Sequence, residues 1–120
     1  MSGILVVEDD SVVRSFMDIF LGAVCGHDVR CVETVKEART AVMDSVPEVL
    51  VVDLCLPDGS GLDLCVEALR VAPGIRVVLV TGMELTDACR MAAEDSEIAV
   101  LRKPFELDHL LVLVGKGSRS

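Results

Sequence analysis

Polar residues that could carry out phosphate chemistry follow four short apolar runs of the sequence. An acidic triplet at residues 8–10 comes after the first run, Asp53 and Thr81 follow the next two, and Lys103 comes shortly after the last. In phosphoryl transfer a carboxylate can act as the nucleophile, while a divalent cation, a lysine and a hydroxyl stabilise the phosphoryl oxygens. These residue types therefore define one candidate functional site, provided that the fold brings them together.

Crowded carboxylates predict a bound cation. Two carboxylates about 4 Å apart repel each other by roughly 4 kcal/mol at an effective dielectric constant of about 20. Lys103 offsets only one negative charge, so a divalent cation is needed as well. Mg²⁺ suits a site with few protein ligands and several waters, and we expect it as the cofactor. Asp10 has a plainer interpretation, because a carboxylate just before a helix often only caps that helix.

The elements that must position these residues are predicted from apolar spacing. The runs at residues 4–7, 49–52, 77–80 and 98–101 lack polar alternation, which is typical of strands buried on both faces of a parallel sheet. A weaker fifth strand is predicted near residues 28–32. Between the strands, apolar residues recur at helical spacing, and their Met and Phe members are expected to pack in the core. The members of these five helical stripes are Val13, Phe16, Met17, Phe20 and Val24; Val35, Ala38, Val42 and Val46; Leu62, Cys65, Val66 and Leu69; Leu85, Ala88, Met91 and Ala92; and Leu107, Leu110, Leu111 and Val114.

Five successive strand–helix units predict a doubly wound α/β fold with a five-stranded parallel sheet and helices on both faces. In such sheets the ligand site lies at the carboxyl ends of the strands, where the candidate residues stand. Thr34 and Glu37 predict a capping box at the start of the second helix. Either Ser60 or Asp58 is expected to cap the third.

Composition and charge exclude several classes of protein. The chain has 11 basic and 20 acidic residues and a net charge of −9, which predicts no direct contact with nucleic acid. Hydrophobic residues make up 52%, too many for a disordered chain. No apolar run approaches the roughly 18 residues of a membrane helix, and the acidic triplet interrupts the first run. We therefore expect neither a membrane span nor a secretory signal.

Cysteine usage and length complete the expectations from composition. The five cysteines are an odd number with no Cys-x-x-Cys pair, which predicts reduced thiols in a cytoplasmic protein. The length of 120 residues predicts one domain at residues 1–115, with a flexible tail or the start of a linker at 116–120.

Four motifs in order resemble those of response-regulator receiver domains, the CheY-like family. They are ILVVEDD at residues 4–10, VVDLCLPDGSG at 51–61, TG at 81–82 and KPF at 103–105. The resemblance covers residues 3–114 and implies a flavodoxin/CheY-like sheet with strand order 2-1-3-4-5 and five helices.

The resemblance also implies a role for each site residue. Asp53 would accept a phosphoryl group from a phosphohistidine. Asp9, Asp53 and the backbone carbonyl of Cys55 would bind Mg²⁺, and Glu8 would act through a metal-bound water. Lys103 would pair with Asp53 and then with the phosphoryl oxygens.

A switch is implied as well. Thr81 would turn toward the new phosphoryl group, Gly82 would leave room for it, and the bond before Pro104 would be cis. Family members often carry Tyr or Phe where this chain has Val100. We therefore expect the signal to be read through the loop after Thr81 and the face made by the fourth helix, fifth strand and fifth helix. Met83, together with Cys55, is expected to tune dephosphorylation.

The function that the sequence favours is two-component signalling, without turnover of outside substrates. The expected partners are a histidine kinase or histidine phosphotransfer protein and a downstream protein or effector domain, and a homodimer through the same face stays open. The sequence does not separate a stand-alone receiver from part of a larger protein. Three alternatives are a phosphorylation-independent scaffold, a metal-dependent phosphatase with an aspartyl-phosphate, and a nucleotide binder. Cys55 disfavours the phosphatase because a general acid is needed there, and the acidic triplet disfavours the nucleotide binder.

Overall fold

A five-stranded parallel sheet forms the centre of the structure, a computed structural model that describes residues 3–115. Its strands, numbered along the chain, are β1 (Gly3–Val7), β2 (Asp28–Val32), β3 (Val49–Asp53), β4 (Arg76–Thr81) and β5 (Ala99–Arg102). They lie in the order β2-β1-β3-β4-β5, and all neighbours are parallel. The predicted doubly wound fold and strand order are confirmed. The predicted tail at residues 116–120 lies outside the described residues.

Within residues 3–115, four α-helices connect the strands and a fifth follows β5, and together they cover both faces of the sheet. They are α1 (Ser11–Met17), α2 (Val35–Asp44), α3 (Gly61–Val71), α4 (Asp87–Asp95) and α5 (Leu107–Val114). A short antiparallel hairpin pairs Cys55–Leu56 with Gly59–Ser60 between β3 and α3. None of the helices within residues 3–115 is long and apolar enough to cross a membrane.

The sheet separates two hydrophobic cores, because successive strand residues point to opposite faces. On one face Leu50, Val52 and Leu79 pack with residues of α2, α3 and α4. On the other face Val51 and Val80 pack with residues of α1 and α5. Since both faces are covered, the inner strands carry continuous apolar runs, such as residues 4–7 of β1 and 49–52 of β3, whereas the edge strand β2 includes Asp28 and Arg30.

The first helical stripe departs from regular α-helical spacing. A π-helix, Asp18–Val24, continues directly from α1, and the amide of Cys25 donates to the carbonyl of Phe20 at 3.0 Å in the five-residue π pattern. The wider turn makes core contacts recur every four residues, so Met17 and Leu21 are buried. Val24, predicted on the core face, is 68% exposed instead.

The expectation that Met and Phe side chains are core residues is only partly right. Met17 is buried, but Phe16 is 45% exposed and Met91 is 62% exposed. Phe16 stacks on Phe20 along the outer surface, with ring centroids 6.2 Å apart. Both corrections have one cause, since hydrophobic spacing identifies a helix face without showing how far the neighbouring elements cover it.

Helix starts agree with the predicted caps in part. Thr34 accepts from the Glu37 amide at 3.1 Å, but the Glu37 carboxylate accepts from the Glu33 amide instead of closing the box on Thr34. Ser60 caps α3. Asp58 does not cap that helix; it accepts hydrogen bonds from the start of α2. Asp10 caps α1 through the amides of the first helical turn.

Candidate functional site

The candidate residues meet at the carboxyl edge of the sheet. Glu8 follows β1, Asp53 ends β3, Thr81 ends β4 and Lys103 follows β5. The strands end side by side because Val7 pairs with Val52 and Asp53 pairs with Val80 in the sheet register. Side chains that are distant in sequence are therefore brought to one edge by strand pairing.

Lys103 bridges two of the carboxylates. Its Nζ lies 3.3 Å from Glu8 Oε1 and 3.4 Å from Asp53 Oδ2. Partial burial acts to lower the pKa of the Lys103 ammonium, but the charges of Asp53 and Glu8 outweigh burial and raise that pKa. The ammonium therefore stays charged at neutral pH and holds the two strand ends together.

Glu8 is the most perturbed acid of the site. Its residue is only 2% exposed, and burial raises the pKa of its carboxyl group to about 7, with the nearby Asp53 adding to the rise. The amide of Asp10 donates to Glu8 Oε2 at 3.1 Å and acts in the opposite direction. A carboxylate with so little water around it needs a cation to be fully ionised near neutral pH.

The acidic residues fit a small divalent cation. Glu8, Asp9 and Asp53 each offer a carboxylate oxygen, and these oxygens lie within 4.8 Å of one another. An all-oxygen, anionic donor set with Asp9 open to solvent is the kind that binds Mg²⁺ together with waters. The amide of Cys55 donates to Asp53 Oδ1 at 3.2 Å, which keeps the chain after Asp53 close to the cluster.

Thr81 is held by its own loop. The residue is 1% exposed, and its Oγ1 donates to the carbonyl of Met83 at 2.9 Å while accepting from the Met83 amide at 3.1 Å. Gly82 is exposed and a Cβ there would meet open space. The amide of Lys103 donates to the carbonyl of Thr81 at 2.8 Å, which joins the two site residues through the main chain. The bond between Lys103 and Pro104 is cis, as expected.

Val100 lies in the core instead of offering an aromatic ring. It is partly buried and packs against the core on the α2–α3–α4 face, to which Leu85 and Cys89 also belong. Within the described residues, the only aromatic side chains are therefore phenylalanines away from this position, because the chain has no Tyr or Trp.

Sequence reasoning missed Arg14. Its guanidinium donates from Nη1 to the carbonyls of Glu8, at 2.9 Å, and Asp9, at 3.4 Å, and its Nη2 lies 3.5 Å from Glu33 Oε2. The available signal was a basic residue one helical turn after the acidic triplet in an otherwise apolar stripe. Arg14 thus contacts the main chain of the segment that carries two of the clustered acids.

Gly61 was quoted in a motif without its structural reason. A Cβ at this position would overlap the backbone carbonyl of Asp53, so only glycine lets α3 begin so close to that residue. The amide of Gly61 also donates to the carbonyl of Leu54 at 2.7 Å. The turn after Asp53 is therefore closed tightly by glycine.

Comparison with known families agrees with this geometry. Residues 4–115 match the family described as response regulator receiver domain, and the chain belongs to that family. It is accordingly a receiver domain, a regulatory class of domain in two-component signalling. The phosphatase and nucleotide-binding alternatives are thereby set aside.

Curated relatives are longer proteins. The transcriptional regulator NtrC of Azospirillum brasilense is 28% identical over 117 residues, covering 98% of this chain and 24% of the relative. The response regulator PilR of Pseudomonas aeruginosa is 32% identical over 115 residues, covering 96% of this chain and 26% of PilR. The chain thus spans about a quarter of the length of these relatives.

Solved structures share the fold. A CheY-like receiver domain protein from Methanospirillum hungatei superimposes with a TM-score of 0.89 at 22% identity, covering 99% of this chain and 94% of that one. The structure described as the BeF3-activated DrrB receiver domain has a TM-score of 0.82 at 25% identity, covering 95% and 94%.

Proposed function

We propose that Asp53 accepts a phosphoryl group from the phosphohistidine of a histidine kinase or histidine phosphotransfer protein. The observation that carries this proposal is the position of the Lys103 ammonium, 3.3 Å from Glu8 and 3.4 Å from Asp53 at the sheet edge. In the reaction, an Asp53 oxygen forms a bond to phosphorus as the bond to the histidine nitrogen breaks, and the imidazole leaves as its neutral form after taking up a proton.

Asp9, Asp53 and the backbone carbonyl of Cys55 would hold Mg²⁺, and Glu8 would contact it through a bound water. When bound, the ion offsets the charge of the carboxylates and of the phosphoryl oxygens. The cluster of Glu8, Asp9 and Asp53 supports this assignment, because its oxygens are close enough to share one ion.

Lys103 and Thr81 would act on the phosphoryl group after transfer. The ammonium already faces Asp53 and can follow the charge onto the new oxygens. The hydroxyl of Thr81 would exchange its bonds to Met83 for one to phosphate, with Gly82 leaving space beside it. Because no Cβ is present at Gly82, a phosphoryl group can approach that main chain closely.

The output would be a change of the face made by α4, β5 and α5. Met91 on α4 and Val112 on α5 are 62% and 74% exposed, and apolar residues at such exposure are available to a partner. The partner would be a downstream protein, an effector domain such as the longer relatives NtrC and PilR have room for, or a second copy of the domain. Residues 1–115 would form this domain in the cytoplasm, and the acidic domain itself would make no direct contact with nucleic acid.

The test is incubation with Mg²⁺ and acetyl phosphate, followed by intact-mass measurement. We expect one phosphoryl adduct on the wild type, no adduct on Asp53→Asn, and an unchanged adduct on Asp63→Asn, a matched change on α3. An unmodified wild type would favour the scaffold that functions without phosphate and would overturn the proposal. The same holds if the Asp53→Asn variant is labelled as well as the wild type.

A further inference from the structure

The start of α2 holds both segments that carry the clustered acids. We name residues 33–36, from Glu33 to Lys36, the α2 bracket. From one side, Asp58 Oδ1 accepts from the Val35 amide at 2.8 Å and Asp58 Oδ2 accepts from the Lys36 amide at 3.1 Å. Asp58 lies 23 residues from Val35 in sequence, so the bonds are tertiary contacts and not a local helix cap.

Asp58 stands at the tip of the hairpin that follows the proposed phosphoacceptor. The hairpin pairs Cys55 with Ser60 and Leu56 with Gly59, which connects its tip to its base through the paired main chain. At the base of the hairpin, the Cys55 amide donates a hydrogen bond to Asp53 Oδ1. The carboxylate at the tip therefore fixes, through a two-residue ladder, the main chain beside Asp53.

Arg14 reaches the α2 bracket from the other side. One guanidinium nitrogen, Nη1, donates to the carbonyls of Glu8 and Asp9, and the other, Nη2, pairs with Glu33 at 3.5 Å. The planar fork of arginine suits this double contact, since its donors are fixed relative to one another. The acidic turn after β1 and the hairpin after β3 are thus tied to the same four residues.

From these contacts we infer that the α2 bracket sets the position of the acidic turn relative to the phosphoacceptor hairpin, with Arg14 and Asp58 as positioning residues for Mg²⁺ and phosphate. The inference rests on the proposed function for the identity of the ion and the acceptor. Ligands on loops must otherwise be ordered when the ion binds, which weakens binding. By linkage, if Mg²⁺ binding favours the ordered form of residues 33–36 by some factor, ordering that segment raises the Mg²⁺ affinity by the same factor.

The first experiment compares two variants that each remove one helix-capping side chain. Asp58→Ala removes the hydrogen bonds between the hairpin and the amides of Val35 and Lys36. Thr86→Ala removes the cap of α4, because Thr86 Oγ1 accepts from the Cys89 amide. We expect Asp58→Ala to weaken Mg²⁺ binding about tenfold by calorimetric titration, as is typical for residues that support metal ligands. We expect Thr86→Ala to leave the affinity unchanged. Equal Mg²⁺ affinity of both variants would overturn the role of Asp58.

Asp58→Asn guards against misfolding of the alanine variant, because asparagine keeps one accepting oxygen. Its Mg²⁺ affinity is expected between those of the wild type and Asp58→Ala. Hydrogen exchange followed by NMR supplies a readout that does not depend on phosphorylation. We expect Mg²⁺ to slow exchange of the Val35 and Lys36 amides in the wild type, and unchanged exchange there would contradict the coupling.

For Arg14 the sign of the effect separates positioning from simple charge. If its charge alone acted on the site, Arg14→Gln would tighten Mg²⁺ binding by removing a nearby cation. Positioning predicts the opposite, a weakening of several-fold, with Arg30→Gln unchanged. Arg30 is the matched control because its guanidinium also donates to two main-chain carbonyls, those of Ala41 and Ser45, at the opposite end of α2 from the α2 bracket. Tighter binding by Arg14→Gln would overturn its assignment.

Labelling of the wild type by acetyl phosphate distinguishes failure of the α2 bracket from failure of the proposed phosphoacceptor function. A wild type that takes up phosphate while Asp58→Ala and Arg14→Gln bind Mg²⁺ as tightly as the wild type contradicts the α2 bracket alone. A wild type that takes up no phosphate contradicts the proposed function, while the Mg²⁺ titrations still decide whether the α2 bracket positions the acids.

Discussion

The Thr81 hydroxyl is bonded twice to Met83, donating to its carbonyl at 2.9 Å and accepting from its amide at 3.1 Å. The hydroxyl therefore closes the loop after β4 and has its donor already in use. Contact with a phosphoryl group requires this donor, so the proposed switch must release the Met83 carbonyl. In a chain with Val100 in place of an aromatic ring, release of this loop would be the direct local consequence of the proposed phosphorylation.

Replacing Thr81 with valine is expected to lower the free energy of unfolding by about 1 kcal/mol, because valine keeps the shape but loses both hydrogen bonds. Urea unfolding measures the change. Thr81→Ser, which retains the hydroxyl, is the control and is expected to close the loop as threonine does. Faster hydrogen exchange of the Met83 amide in Thr81→Val, but not in Thr81→Ser, would accompany the loss; equal exchange in the two would contradict it.

Glu8 predicts how the metal-free domain responds to pH. Burial raises the pKa of Glu8 from 4.5 to about 7, so protonation of this group favours the folded state. Its contribution to stability is present in full below about pH 4.5 and is lost as the pH rises through about 7. The free energy of unfolding of the wild type, measured without Mg²⁺, should fall as the pH rises from about 4.5 to above about 7. The Glu8→Gln variant, whose side chain does not titrate, should not show this fall.

Mg²⁺ should show the opposite dependence on pH at the same residue. Ionised Glu8 would attract the ion through its bound water, so the ion competes with the proton on Glu8 and binds more tightly as the pH rises toward and above about 7. The increase in melting temperature caused by Mg²⁺ should therefore be larger above that pH than below it. A Mg²⁺ effect that is independent of pH in the wild type would show that Glu8 is not linked to the ion.

Gly61→Ala tests the close approach between α3 and Asp53. The added Cβ would overlap the Asp53 carbonyl, and backbone atoms cannot yield as a flexible side chain does. We expect a loss of about 1–3 kcal/mol in the free energy of unfolding, the usual range for overpacking. Gly74→Ala, where a Cβ would meet open space, is the matched control and should change little. Similar losses in both variants would mean that the turn adapts.

Met83→Glu tests whether this side chain controls water at the phosphoryl group. Met83 is 54% exposed beside Thr81, and a carboxylate there could accept a proton from an attacking water. We expect the lifetime of the acyl phosphate to fall several-fold, measured by the decay of the mass adduct. Met91→Glu places the same charge on α4 and should leave the lifetime as in the wild type. Identical lifetimes for all three proteins would contradict the assignment.

The strands were predictable because burial on both faces requires an unbroken apolar run, as in residues 49–52. The π-helix was not, because its register depends on how Leu21 and Met17 meet the sheet, whereas hydrophobic spacing assumes a regular α-helix. The exposure of Phe16 likewise depends on how the neighbouring elements pack against the helix. Which side of a helix is covered is decided by distant elements and not by its own sequence.

At the site, strand ends predicted the meeting of Glu8, Asp53 and Lys103, because parallel strands bring their carboxyl ends to one edge. Arg14, and the contact of Asp58 with α2 in place of the expected cap of α3, were not predicted for a different reason. Both contact main-chain groups of other segments, and backbone amides and carbonyls are present at every residue, so they leave no mark in the sequence. Only the folded chain shows which of them a side chain reaches.

The amide of Lys103 donates to the Thr81 carbonyl, so the main chains that carry the ammonium and the hydroxyl are joined directly. A displacement at the end of β4 is then transmitted to the main chain of the residue whose ammonium faces Glu8. The Lys103 ammonium and the Thr81 hydroxyl would therefore approach a transferred phosphoryl group together. Energies measured by removing each of them separately should consequently not add up to the energy of removing both.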